Sequence, residues 1–178
     1  MKRILVIGGC GAGKSTFAKR LAPLVGLPLV HLDCLGWQGE WEAVPRDEFD
    51  RRLTEVLGTP AWIIDGNYSR TIPLRLTYAD TVFWFDFPGI LYLKGVLERF
   101  FRNYGRSRDD MGGSCPERLD REKLKFFHFA LWFNRKNRPR IRAALQNAPH
   151  AELIVFRNRR QAENYLRSLE KETADGLG

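Results

Sequence analysis

Near its N-terminus the chain runs Ile4-Leu5-Val6-Ile7-Gly8-Gly9-Cys10-Gly11-Ala12-Gly13-Lys14-Ser15-Thr16. Four apolar residues enter a glycine-rich turn, and the turn leaves through Lys-Ser-Thr. Gly8, four residues, Gly13, Lys14 and Ser15 have the spacing of a phosphate-binding P-loop. Glycine lets such a turn wrap closely, so that backbone N–H groups point inward as an anion nest. A helix opening at Lys14 adds the positive end of its dipole. The Lys14 ammonium then reaches the β- and γ-phosphates of a nucleoside triphosphate, and the Ser15 hydroxyl ligates Mg²⁺. Gly8, Gly9, Gly11, Ala12, Gly13, Lys14, Ser15 and Thr16 are the expected contacts to ATP, with GTP left open as a donor.

Outward from this loop, short β-rich runs alternate with helical stretches. Lys2–Ile7 is a predicted strand, and Lys14–Leu24 a helix closed by Gly26 and Pro28. Leu29–Leu32, Trp62–Ile64, Thr81–Phe85 and Glu152–Phe156 are four further strands. Helical spacing covers 46–57, 90–104, 121–134, 138–146 and 160–170, with a polar loop over 105–115. Strands separated by helices imply an α/β, three-layer P-loop NTPase fold: five parallel strands, helices on both faces, and ligands at the carboxyl ends of the strands. Asp33, Asp65 and Asp86 fall at three of those ends.

Bulk properties fit one domain over 1–178, with hydrophobic content of 44% and charged content of 28%. No apolar run approaches the roughly 20 residues that span a bilayer, so no membrane partner is expected. Met1-Lys2-Arg3 leads into a first strand rather than a signal peptide. Three cysteines (Cys10, Cys34, Cys115) without a C-x-x-C pair argue against a disulfide framework and fit a reducing cytoplasm. Of the net charge of +8, residues 94–142 carry all: 14 Lys+Arg against 6 Asp+Glu, while the remainder balances. That segment therefore faces something anionic.

The run Trp62-Ile63-Ile64-Asp65-Gly66-Asn67-Tyr68-Ser69-Arg70-Thr71 resembles the nucleoside monophosphate kinases, where an apolar strand ends in Asp-Gly and Arg-Thr follows. More narrowly, His31-Leu32-Asp33, Trp62 to Tyr68 and Gly105-Arg106-Ser107-Arg108 resemble small bacterial P-loop proteins labelled DNA-topology modulation proteins and grouped with adenylate kinases. The resemblance implies that Asp65 holds Mg²⁺ through water and Arg70 grips the acceptor or transferred phosphate. It also implies a lid over about 99–142 that closes on the triphosphate, with Arg102, Arg106 and Arg138 among its arginines and a hinge at Gly112-Gly113. Arg157 would lie beside the adenine.

Two departures bear on the acceptor. Asn67-Tyr68-Ser69 stands where the family has Phe-Pro, and the 28 residues between Asp33 and Trp62 are few for a nucleoside monophosphate-binding insert. A carboxylate at Asp33 resembles the acceptor-binding Asp of small-metabolite kinases and can orient a hydroxyl and take its proton; otherwise it caps a local turn or holds Mg²⁺-bound water. His31 has the ordinary alternative of a core-side histidine bonded to backbone. Trp37 and Trp41 are candidates for the acceptor pocket wall, and Phe126, Phe129 and Phe133 for helix packing on the core. The resulting expectation is ATP·Mg²⁺-dependent phosphoryl transfer to a nucleoside monophosphate or small hydroxylated metabolite, by a monomer or homodimer. The alternatives are an ATP-binding, nucleic-acid-associated regulator and an NTPase without a dedicated acceptor.

Overall fold

The structure is a computed structural model that describes residues 1–39, 41–106, 110, 116 and 118–175. Ser107, Arg108, the Gly112-Gly113 pair and Cys115 lie outside the described residues. In chain order the elements are β1 (Arg3–Gly8), α1 (Lys14–Val25), β2 (Leu29–His31), α2 (Leu32–Gly36), β3 (Trp37–Gln38), β4 (Glu42–Ala43), α3 (Arg46–Leu57) and β5 (Trp62–Asp65). A 3₁₀ turn (Ser69–Thr71) leads into α4 (Ile72–Leu76), then β6 (Thr81–Phe85), α5 (Gly89–Arg102), α6 (Arg121–Gln146), β7 (Glu152–Phe156) and α7 (Arg159–Asp175).

The main sheet has the order β2-β5-β1-β6-β7, and every pair is parallel. Successive side chains of a strand point to opposite faces. In β5 and β6 every residue is buried, and Ile4 to Ile7 of β1 are fully so. Both faces of the sheet are therefore covered, as near-continuous apolar strands require. The fold is the expected α/β P-loop architecture. Register sets the site: Val6 lies opposite Asp65, Asp65 opposite His31, and Gly8 opposite Phe85. The P-loop, Asp65, His31 and Asp86 thus open onto one edge of the sheet.

Four readings of the sequence are corrected. The second strand stops at His31, and Leu32 opens the short helix α2, so Asp33 sits in a first helical turn rather than on a strand. A small antiparallel hairpin, β3–β4, follows it. Residues 121–146 form one helix running through Pro139, where two were expected. Its inward stripe is Ala130, Phe133, Asn137 and Ile141, whereas Phe129 is 45% exposed and does not pack in the core.

Candidate active site

The P-loop is built by sterics as much as by conformational freedom. A Cβ on Gly9 would stand 2.5 Å from the Tyr92 ring. Tyr92 is wholly buried; its hydroxyl donates to the Phe85 carbonyl at 2.6 Å and accepts from Phe87 N–H at 3.1 Å. Burial pushes its phenol up to about 12. One tyrosine thus floors the loop and joins it to the end of β6. Ala12 is fully buried and contributes through its backbone. Gly13 caps α1 with φ +94 and no side-chain cap, which leaves the first-turn N–H groups to an external acceptor. Lys14 folds back over the loop, Nζ donating to the Gly9 carbonyl at 2.9 Å. Ser15 is half-buried and Thr16 exposed. Arg159, unremarked in the sequence, grips the loop from behind: it donates to the Gly11 carbonyl at 2.9 Å and to Glu98 at 2.8 Å.

Beside the loop, Asp65 ends β5 at 4% exposure. His31 Nδ1–H donates to its Oδ2 at 2.9 Å, so the histidine partners a carboxylate rather than backbone. Asp65 Oδ1 is buried without a hydrogen-bond partner. Such an atom is costly unless a ligand meets it. A Cβ on Gly13 would meet nothing within 4 Å, so the cradle is open where phosphates would lie. An acidic oxygen and an open N–H nest fit Mg²⁺ carried by a nucleotide, which takes one or two protein ligands and phosphate oxygens.

On the far side of Asp65 lies Asp33. The Tyr68 hydroxyl lies near its carboxylate and the Trp37 side chain. Burial, together with the Asp33 charge, raises the Tyr68 phenol well above its usual range. Trp37 meets Trp41 edge-on at 5.7 Å, and the Trp41 indole donates to the Pro116 carbonyl at 3.1 Å. The segment Gly66 to Tyr68 is held by Arg75, which is 0% exposed and donates to the carbonyls of Gly66 (3.0 Å), Asn67 (2.5 Å) and Tyr68 (3.3 Å). Burial pulls Arg75 down to about 9, opposed by the nearby Asp65 charge, so it remains a cation at neutral pH. Neither Tyr68 nor Arg75 was singled out for a role in the sequence.

The predicted arginines scatter. Arg138 donates to Asp86 Oδ2 through Nε (3.1 Å) and Nη2 (2.8 Å); Arg157 pairs with the same oxygen, and Arg142 stands 3.9 Å from it. Three guanidinium groups thus share one buried carboxylate beyond β6, the strand paired with the P-loop strand. Arg70 instead makes a two-pronged ion pair with Asp50 of α3 (2.9 and 2.5 Å), half-exposed at the surface. Arg102 ends α5 and Arg106 follows Gly105, both exposed.

No protein-family model matches the chain, and no curated protein matches it in sequence. Among solved structures, shikimate kinase from Acinetobacter baumannii in complex with shikimate superposes with a TM-score of 0.56 at 17% identity, over 97% of this chain and 94% of that one. A candidate kinase from Chloroflexus aurantiacus superposes with a TM-score of 0.54 at 14% identity, over 94% and 96%. The chain has the fold of the P-loop kinases over essentially its whole length.

Proposed function

We propose that the protein is a kinase that transfers the γ-phosphoryl group of ATP to a hydroxyl of a small acceptor. The observation that carries this reading is the sheet register. It sets a P-loop with its lysine in place beside the buried, half-unpartnered carboxylate of Asp65, with Asp33 one element away. Lys14, the nest and Ser15 bind the triphosphate. Ser15 and Asp65 would hold Mg²⁺, which neutralises charge on the β- and γ-oxygens when bound. Asp33 orients the acceptor hydroxyl. As the acceptor oxygen bonds to the γ-phosphorus, the bridging P–O bond breaks, ADP leaves with the electron pair, and the hydroxyl proton passes to Asp33. Arg138, Arg142 and Arg157 supply positive charge at the sheet edge beside the loop, which suits stabilisation of the transferring group. The lid assigned to 99–142, Arg70, Arg102 and Arg106 belong to the same proposal, drawn from the family resemblance. Replacing Lys14 by Ala should lower acceptor-dependent ADP release by at least about 100-fold with an unchanged melting temperature. Unaltered turnover in that variant would refute the reading.

A further inference from the structure

The segment after β5 is an expensive piece of backbone. Tyr68 has φ 29 and ψ 66, a region that a bulky side chain seldom occupies. Strain of this kind persists only where the surroundings over-determine it, and it gathers at functional sites. Here the surroundings do so. The fully buried Arg75 takes up the carbonyls of Gly66, Asn67 and Tyr68. Asn67 Nδ2 donates to Ser69 Oγ at 2.8 Å, and Ser69 Oγ donates to Asn137 of α6 at 2.9 Å. Burying a guanidinium for three backbone carbonyls is a costly way to hold an ordinary turn.

What this backbone presents is the Tyr68 ring. The ring lies flat on Phe49 of α3, with centroids 4.9 Å apart and planes 13° apart. Its far end enters the space left by Gly36, whose Cβ would stand 2.9 Å from the phenol Cζ. There the hydroxyl lies near Asp33 and the Trp37 side chain. The ring therefore fills the ground between α2 and α3, on the acceptor side of Asp65, stacked on Phe49 and packed against Gly36.

We propose that Tyr68 sets the acceptor class of this kinase: by occupying the ground beside Asp33 it admits a small, non-aromatic hydroxylated acceptor and excludes the planar base of a nucleoside monophosphate. A base would need the flat surface that Tyr68 already takes on Phe49. An ionised carboxylate offers about four lone-pair sites, so Asp33 can receive a small acceptor's hydroxyl beside the phenol. This inference rests on the kinase reading above, and the experiment separates the two.

The full-length wild-type chain, Lys14→Ala, Tyr68→Phe and Tyr68→Asn are assayed for acceptor-dependent ADP release. The panel is shikimate, gluconate, glycerol, AMP, CMP, GMP and UMP, with thermal melts of each variant. The wild type should respond to at least one of the hydroxylated compounds and to no nucleotide. Tyr68→Phe keeps the ring and removes the hydroxyl beside Asp33; the acceptor KM should rise about tenfold, the scale of one polar contact, with the ATP KM unchanged. Asn tolerates positive φ, so Tyr68→Asn removes the ring without refolding the turn, and nucleoside monophosphates should become acceptors. If no compound stimulates the wild type beyond Lys14→Ala, the kinase reading falls and this inference with it. If the wild type phosphorylates a nucleoside monophosphate, or if Tyr68→Phe leaves the acceptor KM unmoved, the kinase reading stands and this inference is wrong. Should Tyr68→Asn not fold, Tyr68→Phe and the wild-type panel decide the matter.

Discussion

Gly11 and Gly13 show how one residue type does two jobs in a single loop. Both have positive φ, +75 and +94. At Gly11 a Cβ would collide with the Tyr92 carbonyl and stand 2.6 Å from Val96 N, in the body of α5. At Gly13 it would meet nothing within 4 Å. Gly11→Ala should therefore cost about 2–4 kcal/mol, overpacking added to a left-handed backbone. Gly13→Ala should cost only about 1 kcal/mol of stability but raise the ATP KM, since its methyl projects into the phosphate cradle. Denaturant titration and ATP kinetics on the two variants check the split; equal stability losses would contradict it. The glycines were legible because their spacing is local. Tyr68 and Arg75 were not, because propensity argues against a tyrosine at φ 29 and a guanidinium in a core. Only partners brought together by the fold (Asp33, Trp37 and three carbonyls) make either tolerable. Arg70 shows a partner that the motif did not: its guanidinium pairs with Asp50 on α3, a helix whose position no local pattern gave.

At the scale of elements, the five parallel strands were readable from apolar runs alone, but α6 was not. A proline inside a helix removes a hydrogen bond and clashes with the preceding turn, yet α6 runs through Pro139. The helix continues because its inward stripe binds it on both sides of Pro139, with Asn137 tied to Ser69 and Arg138 to Asp86. Pro139 itself faces solvent. Pro139→Ala should accordingly stabilise the protein, by about 2 kcal/mol, seen as a higher denaturant midpoint; a lower one would mean the proline bend is needed for packing. The start of β1 offers a test with a definite sign in pH. Asp80 Oδ2 accepts the N–H groups of Lys2 and Arg3 at 2.7 and 2.9 Å, and Oδ1 the Thr81 hydroxyl at 2.7 Å. Burial alone would raise this carboxyl; the three donors outweigh it and hold it below its usual range. A depressed folded-state pKa stabilises above the unfolded value, near pH 4, and that stability is lost as pH falls through the folded value. Asp80→Asn should thus cost about 1–2 kcal/mol at pH 7, and the cost should shrink as pH falls below about 4. A loss independent of pH would assign the effect to packing.

Over the whole molecule the question is what the charge of +8, concentrated in 94–142, is for. The structure divides that segment in two. Arg138 and, at 3.9 Å, the exposed Arg142 join Arg157 around the buried Asp86 at the sheet end beside the P-loop, so part of the positive charge is directed at the candidate active site. Other groups face outward: Arg135 lies 5.7 Å over the ring of Trp132, which is 49% exposed, and Phe101 at the end of α5 is 75% exposed. Basic and aromatic side chains side by side attract nucleic acid by charge and stacking, but reading a duplex requires a helix or strand that fits a groove and reaches base edges. Arg135, Trp132 and Phe101 sit on α5 and α6, and the inner faces of both helices are packed in the fold. Duplex DNA should consequently bind with a micromolar or weaker Kd, lose affinity steeply between about 50 and 200 mM salt, and respond neither to ATP nor to Lys14→Ala. The measurement is a fluorescence anisotropy titration of a labelled duplex at both salt concentrations, with and without ATP. Binding that is salt-insensitive and switched by ATP would reverse the assignment, making the P-loop the control of a nucleic-acid surface rather than the donor site of a kinase.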